Sequence, residues 1–293
     1  MVASSAASCC RIRGCLRRRE SRAPPSPKRA LLARVRRAAG HRRLIVELVR
    51  RDFRSRFSGA RFGLLWSLLN PMIQLASYGL IFGFLYASPA LGSERSFVAS
   101  LFCGLWPWWA FQEGTTRGLA AVADQAALLK KLPMPAEACV VAAVTSSFLL
   151  QMIGFALFLV LFATFGVIAP RASWVLLPAI MTLEWLLTIG LALLLAPLFL
   201  VVRDTAHLVT AVLTIGFFLS PVLYPTELLP ERLVSVANLN PMTALLGLYR
   251  FAALGDPWPT ASSLLMLFAV TALLLVAGTR TFARLRPVLD QYW

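Results

Sequence analysis

The stretch WVLLPAIMTLEWLLTIGLALLLAPLFLVV, Trp174 to Val202, carries a single ionisable side chain, Glu184. About 20 helical residues, each rising ~1.5 Å, cross the ~30 Å of hydrocarbon in a bilayer, so this stretch can span it with length left for tilt. Working outward, five more apolar runs of spanning length stand between charges or turn residues: Phe62 to Tyr86, Phe97 to Val122, Cys139 to Ile168, Ala206 to Tyr224 and Ala261 to Thr279. The expectation is an all-α, polytopic membrane protein with six transmembrane helices. Composition agrees, because 58% of the chain is hydrophobic and 14% charged, roughly half the charged share of a soluble domain.

Charge is unevenly placed. Met1 to Arg61 holds 18 of the 29 Arg and Lys residues against three acids, Glu20, Glu47 and Asp52, so nearly all of the net +16 lies there. Residues 1–40, rich in Arg, Ala, Ser and Pro, read as a basic disordered arm or an early-assigned start, and residues 41–293 as the membrane domain. The arm shares the Arg-rich, acid-poor composition of transit peptides and lacks the apolar core of a secretory signal. Its expected partner is anionic membrane lipid; no nucleic acid is expected, because no aromatic reading platform accompanies the charge. Positive loops stay cytoplasmic. Lys130 and Lys131, Arg203, and Arg280, Arg284 and Arg286 join the arm on that side, while Arg95, Arg171, Arg232 and Arg250 fall on the other. An even number of spans with both termini cytoplasmic satisfies this pattern.

Two segments are neither span nor solvated loop. From Arg42 to Phe57, Leu44 and Leu48 form one row at fourfold spacing and Ile45, Val49, Phe53 and Phe57 the next, with Arg42, Arg43, Glu47, Arg50, Arg51 and Arg54 opposite. This predicts an amphipathic helix lying in the headgroup plane. Pro225 to Pro259 is too apolar for a loop; within it Asn240 caps a helix starting at Pro241, running through Arg250 and stopping at Gly255. Such a helix of about 14 residues is too short to span, and reads as an outer re-entrant segment or one lying flat on the outer surface.

Catalytic chemistry finds little footing. Lys28, Lys130 and Lys131 follow Pro27, Leu129 and Lys130, so no glycine precedes a lysine as a phosphate-cradling loop requires. Gly pairs four apart enclose Arg61, Ile81 and Thr116 rather than a nucleophilic serine. Five cysteines, three of them in the arm, and two histidines give neither a disulfide framework nor a metal site. Intramembrane acids are functional candidates in transporters; Glu184, with Glu113, fits a proton relay or a buried structural hydrogen bond. Gly79 and Gly83, and Gly114 and Gly118, allow close helix approach within or between chains. Trp106, Trp108 and Trp109 around Pro107 fit either an interfacial aromatic belt or the lining of a sugar path.

Four blocks carry a resemblance: RDFRSRFSGARFGLLWSLLNP (Arg51 to Pro71); GLWPWWAF (Gly104 to Phe111) with LLKKLPMP (Leu128 to Pro135); VRDTAHLV (Val202 to Val209) continuing to FFLSPVLYP (Phe217 to Pro225); and LNPMTALLGLYR (Leu239 to Arg250). In that order they resemble the permease subunits of polysaccharide-exporting ABC transporters, which serve O-antigen, capsule and teichoic-acid export. The resemblance implies six spans in the inner (plasma) membrane, two copies forming a channel for a lipid-linked glycan, and a separate ABC ATPase subunit that binds ATP. No cofactor is then expected on this chain. It also implies an ATPase-docking segment at Asp124, Leu128, Leu129, Lys130, Lys131 and Pro133, and an outer gate containing Pro225, Asn240, Pro241 and Arg250. Drug or lipid exporters of similar topology, and secondary transporters, are the alternatives.

Overall fold

The computed structural model describes residues 43–56, 63–85, 94–131, 134–224 and 237–289. The arm expected over 1–40 and the candidates Pro133 and Pro225 lie outside these residues. The chain divides into two units, Met1–Leu44 and Ile45–Trp293, and the fold is that of the second. Among the described residues it is all helix: α1 (43–56), α2 (Gly63–Leu85), α3 (Glu94–Asp124), α4 (Glu137–Thr164), α5 (Leu177–Val201), α6 (Thr205–Leu219), α7 (Pro241–Leu254) and α8 (Ala261–Leu289). A single helical turn, Ala126–Leu129, follows α3, and a 3-10 turn, Ala172–Leu176, leads into α5.

Among the described residues, three stretches are long and apolar enough to cross a membrane: Glu137–Thr164, Ala172–Val201 and Ala261–Leu285. They are α4, α5 with its 3-10 lead, and most of α8. The 31-residue α3 has the length to cross as well, but its hydropathy is lowered by residues such as Gln112, Glu113 and Arg117. The run Ala206 to Tyr224, expected to be helical throughout, is helical only to Leu219. Pro221 disfavours helical backbone at the residue before it, and Ser220 accordingly turns extended, with φ −91° and ψ 146°. At the other end of the chain, α8 runs well past the expected stop at Thr279.

The core forms where α3, α4, α5, α7 and α8 converge. Small residues set the closest crossings, since a Cβ on Gly190 would come within 2.8 Å of the Leu275 backbone and one on Gly278 within 2.6 Å of the Gly190 carbonyl. α5 and α8 therefore touch backbone to backbone. Likewise a Cβ on Gly118 would meet Ala192 Cβ at 2.5 Å and one on Gly114 would meet Thr188 at 2.8 Å, so this glycine pair packs α3 against α5 inside one chain.

α7 is the short helix anticipated from the sequence. Asn240 accepts a hydrogen bond from the Met242 amide at 3.0 Å, Pro241 occupies the first turn, and Gly255 ends the helix at φ 83°, a conformation glycine takes without a Cβ penalty. Ten of its 14 residues are buried, Arg250 among them, so Arg250 is an interior side chain and not a loop charge. That inward placement removes it from the orientation count.

Candidate functional site

A cavity of about 910 Å³ opens along α3 between α2, α4 and α6. Its walls alternate aromatic and polar groups: Tyr78 and Gln74 from α2, Trp108, Trp109 and Gln112 from α3, Gln151 from α4, and Thr214, Phe217 and Phe218 from α6. Trp108 meets Phe217 edge-on at 5.8 Å between ring centroids, and Phe217 approaches Tyr78 at 6.3 Å, so three helices contribute to one aromatic wall. Aromatic surface with a few fixed hydrogen-bonding groups is the usual make-up of an organic ligand site.

Arg56, Glu113 and Arg117 add charge to the lining of this cleft. Arg56 of α1 donates to Glu113 at 3.0 Å, and Gln151 donates to the other Glu113 oxygen at 2.8 Å. Arg117 donates to both Asp52 oxygens at 3.0 and 2.9 Å, and Ser146 donates to Asp52 as well. α1 is thus tied to α3 and α4 through side chains that are mostly shielded, with Arg56 10% and Asp52 18% exposed. Burial, and then the neighbouring Arg117 guanidinium, lower the Arg56 pKa, while Glu113 and Asp52 oppose the shift. An arginine so placed remains charged at neutral pH.

The network escaped the sequence reading, although its signal was present. Asp52 and Arg56 continue the Leu44–Leu48 row onto the inward face of α1, and Glu113 and Arg117 stand four apart on α3. Two acid–arginine pairs of equal spacing can face each other across a helix crossing.

The tryptophans separate. Trp108 and Trp109 line the cleft, whereas Trp106 points into the α3–α4 packing, where its ring lies 4.9 Å from Phe158 and its Nε1 donates to the Gln151 carbonyl at 3.0 Å. Residues 106 and 108 are about 200° apart around a helix, so they cannot share a face.

Glu184 is buried in the core, where Tyr249 of α7 donates to its carboxyl at 2.6 Å. It stands away from the large cleft and ties α5 to α7. Tyr249→Phe leaves that carboxyl without its donor, and we expect a loss of about 1–3 kcal/mol. A thermal unfolding midpoint in detergent equal to that of the unmodified protein would show that the bond contributes nothing.

Around the turn after α3, Asp124, Lys130 and Lys131 are exposed and Leu128 is half-buried. Leu129 turns inward, 9% exposed, and belongs to the cluster that includes Val122, Ala136, Cys139 and Phe282. Among the described residues, no group of His, Cys, Asp and Glu is arranged to hold a metal ion.

Comparison with known proteins adds to this geometry. The ABC-2 type transporter family matches residues 43–254, which takes in α1 through α7. The O-antigen export system permease protein RfbA of Myxococcus xanthus is 30% identical over 250 residues, 85% of this chain and 94% of that protein. Two proteins of the same name from Klebsiella pneumoniae are 24% identical over 204 residues, 69% of this chain and 77% of theirs. The family match spans well over half of the sequence, and this chain belongs to the ABC-2 type transporter membrane family.

Proposed function

We propose that this protein is the membrane-spanning subunit of an ABC exporter that moves a lipid-linked polysaccharide of the O-antigen type across the inner membrane. The observation that carries the reading is the cleft, which joins aromatic faces to amide and hydroxyl side chains. A pyranose presents C–H bonds on its faces and hydroxyls around its edge, so rings suit its faces and Gln74, Gln112, Gln151 and Thr214 suit its edge. The names of the relatives from Myxococcus and Klebsiella support the same cargo class.

In this reading the six spans are α2, α3, α4, α5, α8 and the 15-residue α6 together with residues 220–224 that follow it, α1 lies in the cytoplasmic interface, and α7 is the re-entrant element of the outer gate. Both termini are cytoplasmic. A second copy of the chain completes the conduit, because one subunit leaves the cleft open beside the exposed apolar residues of α2 and α6, such as Ile73, Leu80, Val212 and Phe218. ATP is bound by a separate ATPase, which docks at the turn carrying Asp124, Leu128, Lys130 and Lys131. A proton-relay transporter is less well supported, since Glu184 is enclosed in the core and bonded to Tyr249.

The test is export in cells that make the glycan, contain the ATPase and lack their own permease. Surface glycan should appear with the unmodified chain. It should fall about tenfold with Trp109→Ala or Phe218→Ala, since each removes one stacking face worth about 1–1.5 kcal/mol. Full export by both variants together, at normal membrane levels, would remove the cleft from the path.

A further inference from the structure

Three of the sequence blocks end at one point in the fold. The helix α6 stops at Leu219, and the turn after it would leave carbonyl groups without partners. Arg250, buried on α7, donates through one nitrogen to the Pro221 carbonyl at 2.7 Å and the Val222 carbonyl at 3.2 Å. Asn240, while capping α7 with its oxygen, donates from its amide nitrogen to the Ser220 hydroxyl at 2.8 Å. The Val222 carbonyl in turn sits against Gly104 on α3, where an added Cβ would lie 2.3 Å from that oxygen and 3.2 Å from the Arg250 nitrogen. A glycine is required there for the turn and the guanidinium to fit.

We propose that Gly104, Asn240 and Arg250 form a clasp that fixes the Ser220–Val222 end of α6, with Arg250 as the positioning residue. The clasp brings together the first residue of GLWPWWAF, the break in FFLSPVLYP and both ends of LNPMTALLGLYR. Phe217 and Phe218 lie immediately before the clasped turn and line the cleft, so the clasp sets where that wall stands. α7 is itself well anchored for this task. Besides the Tyr249–Glu184 bond, its final turn receives hydrogen bonds from Ser173 to the Ala252 carbonyl at 2.8 Å and from Trp174 to the Ala253 carbonyl at 3.4 Å. A side chain projecting from so firmly held a helix transmits position rather than yielding to the turn it grips.

That the cleft carries glycan rests on the preceding proposal; the clasp does not, and the experiment keeps the two apart. Backbone amide hydrogen exchange is followed by mass spectrometry on the full chain in lipid nanodiscs. Arg250→Met should accelerate exchange across residues 213–224 about tenfold or more, while α4 and α5 keep their protection. Arg250→Lys should restore most of it, because an ammonium also donates to two carbonyls. Ser220→Ala, which removes only the Asn240 contact, should give a smaller acceleration in the same segment and guards against misfolding of the arginine variants. Unchanged exchange at 213–224 in Arg250→Met and Ser220→Ala, or acceleration spread equally over α4 and α5, overturns the clasp. Local acceleration with undiminished glycan export upholds the clasp and overturns the assignment of the cleft as the path.

Discussion

Asp52→Asn is expected to destabilise the protein by about 2–3 kcal/mol, and adding Arg117→Gln is expected to return part of that loss. Removing Asp52 strands Arg117 and leaves Arg56 with Glu113 as its remaining acidic partner. Breaking one partner of a fully buried pair costs about 3–5 kcal/mol; the figure here is smaller because Arg117 is 33% exposed. The double variant removes the stranded cation along with its partner and leaves the Arg56–Glu113 pair intact. Unfolding midpoints and limited proteolysis at α1, compared across the two single variants and the double, give the coupling directly. If the double variant loses the full sum of the singles, Asp52 and Arg117 do not act together and α1 is held by its apolar face and the Arg56–Glu113 pair.

Leu129→Asp should prevent folded protein from accumulating, whereas Leu128→Asp should accumulate normally and lose its ATPase. Leu129 is inside the cluster that includes Val122, Cys139 and Phe282, so even its truncation to alanine forfeits about 2–3 kcal/mol, and a carboxylate there adds an unpaired buried charge. Leu128, one residue earlier, is only half-buried, and Lys130 and Lys131 beyond it are exposed. Apolar anchors contribute more to an interface than exposed rim charges, so Lys131→Ala should weaken the complex less than Leu128→Asp. Membrane levels followed by co-purification with the ATPase distinguish the cases. Normal accumulation of Leu129→Asp would show that this leucine faces outward, and co-purification of Leu128→Asp at the normal level would remove the turn from the docking surface.

The fold was legible wherever a signal was local. Apolar length located α4 and α5 to within a few residues, and the order Asn240, Pro241, Gly255 gave both ends of α7, because caps are decided by neighbours in sequence. The end of α6 was missed by treating Ser220-Pro221 as part of an apolar run when the proline had already decided the matter. α8 was cut short at Arg280 because charge was taken as the boundary, although long cationic side chains prolong a helix readily beyond an apolar core.

The site was less legible, since its parts meet only through tertiary packing. Spacing alone divides Trp106 from Trp108 but not from Trp109, three residues on, and which face meets the cleft depends on where α4 lies. The same holds for Leu128 and Leu129. Asp52 entered only as one of three acids in the basic first 61 residues, and Arg117 was not singled out. Their pairing across 65 positions of sequence depends on how α1 meets α3, which no local pattern encodes.

The glycine crossings have a mechanical consequence. With α5 and α8 in backbone contact at Gly190 and Gly278, and α3 seated on α5 at Gly114 and Gly118, these three helices have no slack in which to slide. α7 is bolted to the same body through Glu184. By contrast α2 and α6 turn much of their surface outward, with Leu80, Ile81, Val212 and Ile215 each more than half exposed. The cleft therefore has one stationary jaw and one compliant jaw. Widening it displaces α2 and the body of α6, which pivots on the clasped Ser220–Val222 turn, and the stiffness of the cleft is set by whatever presses on their outer faces.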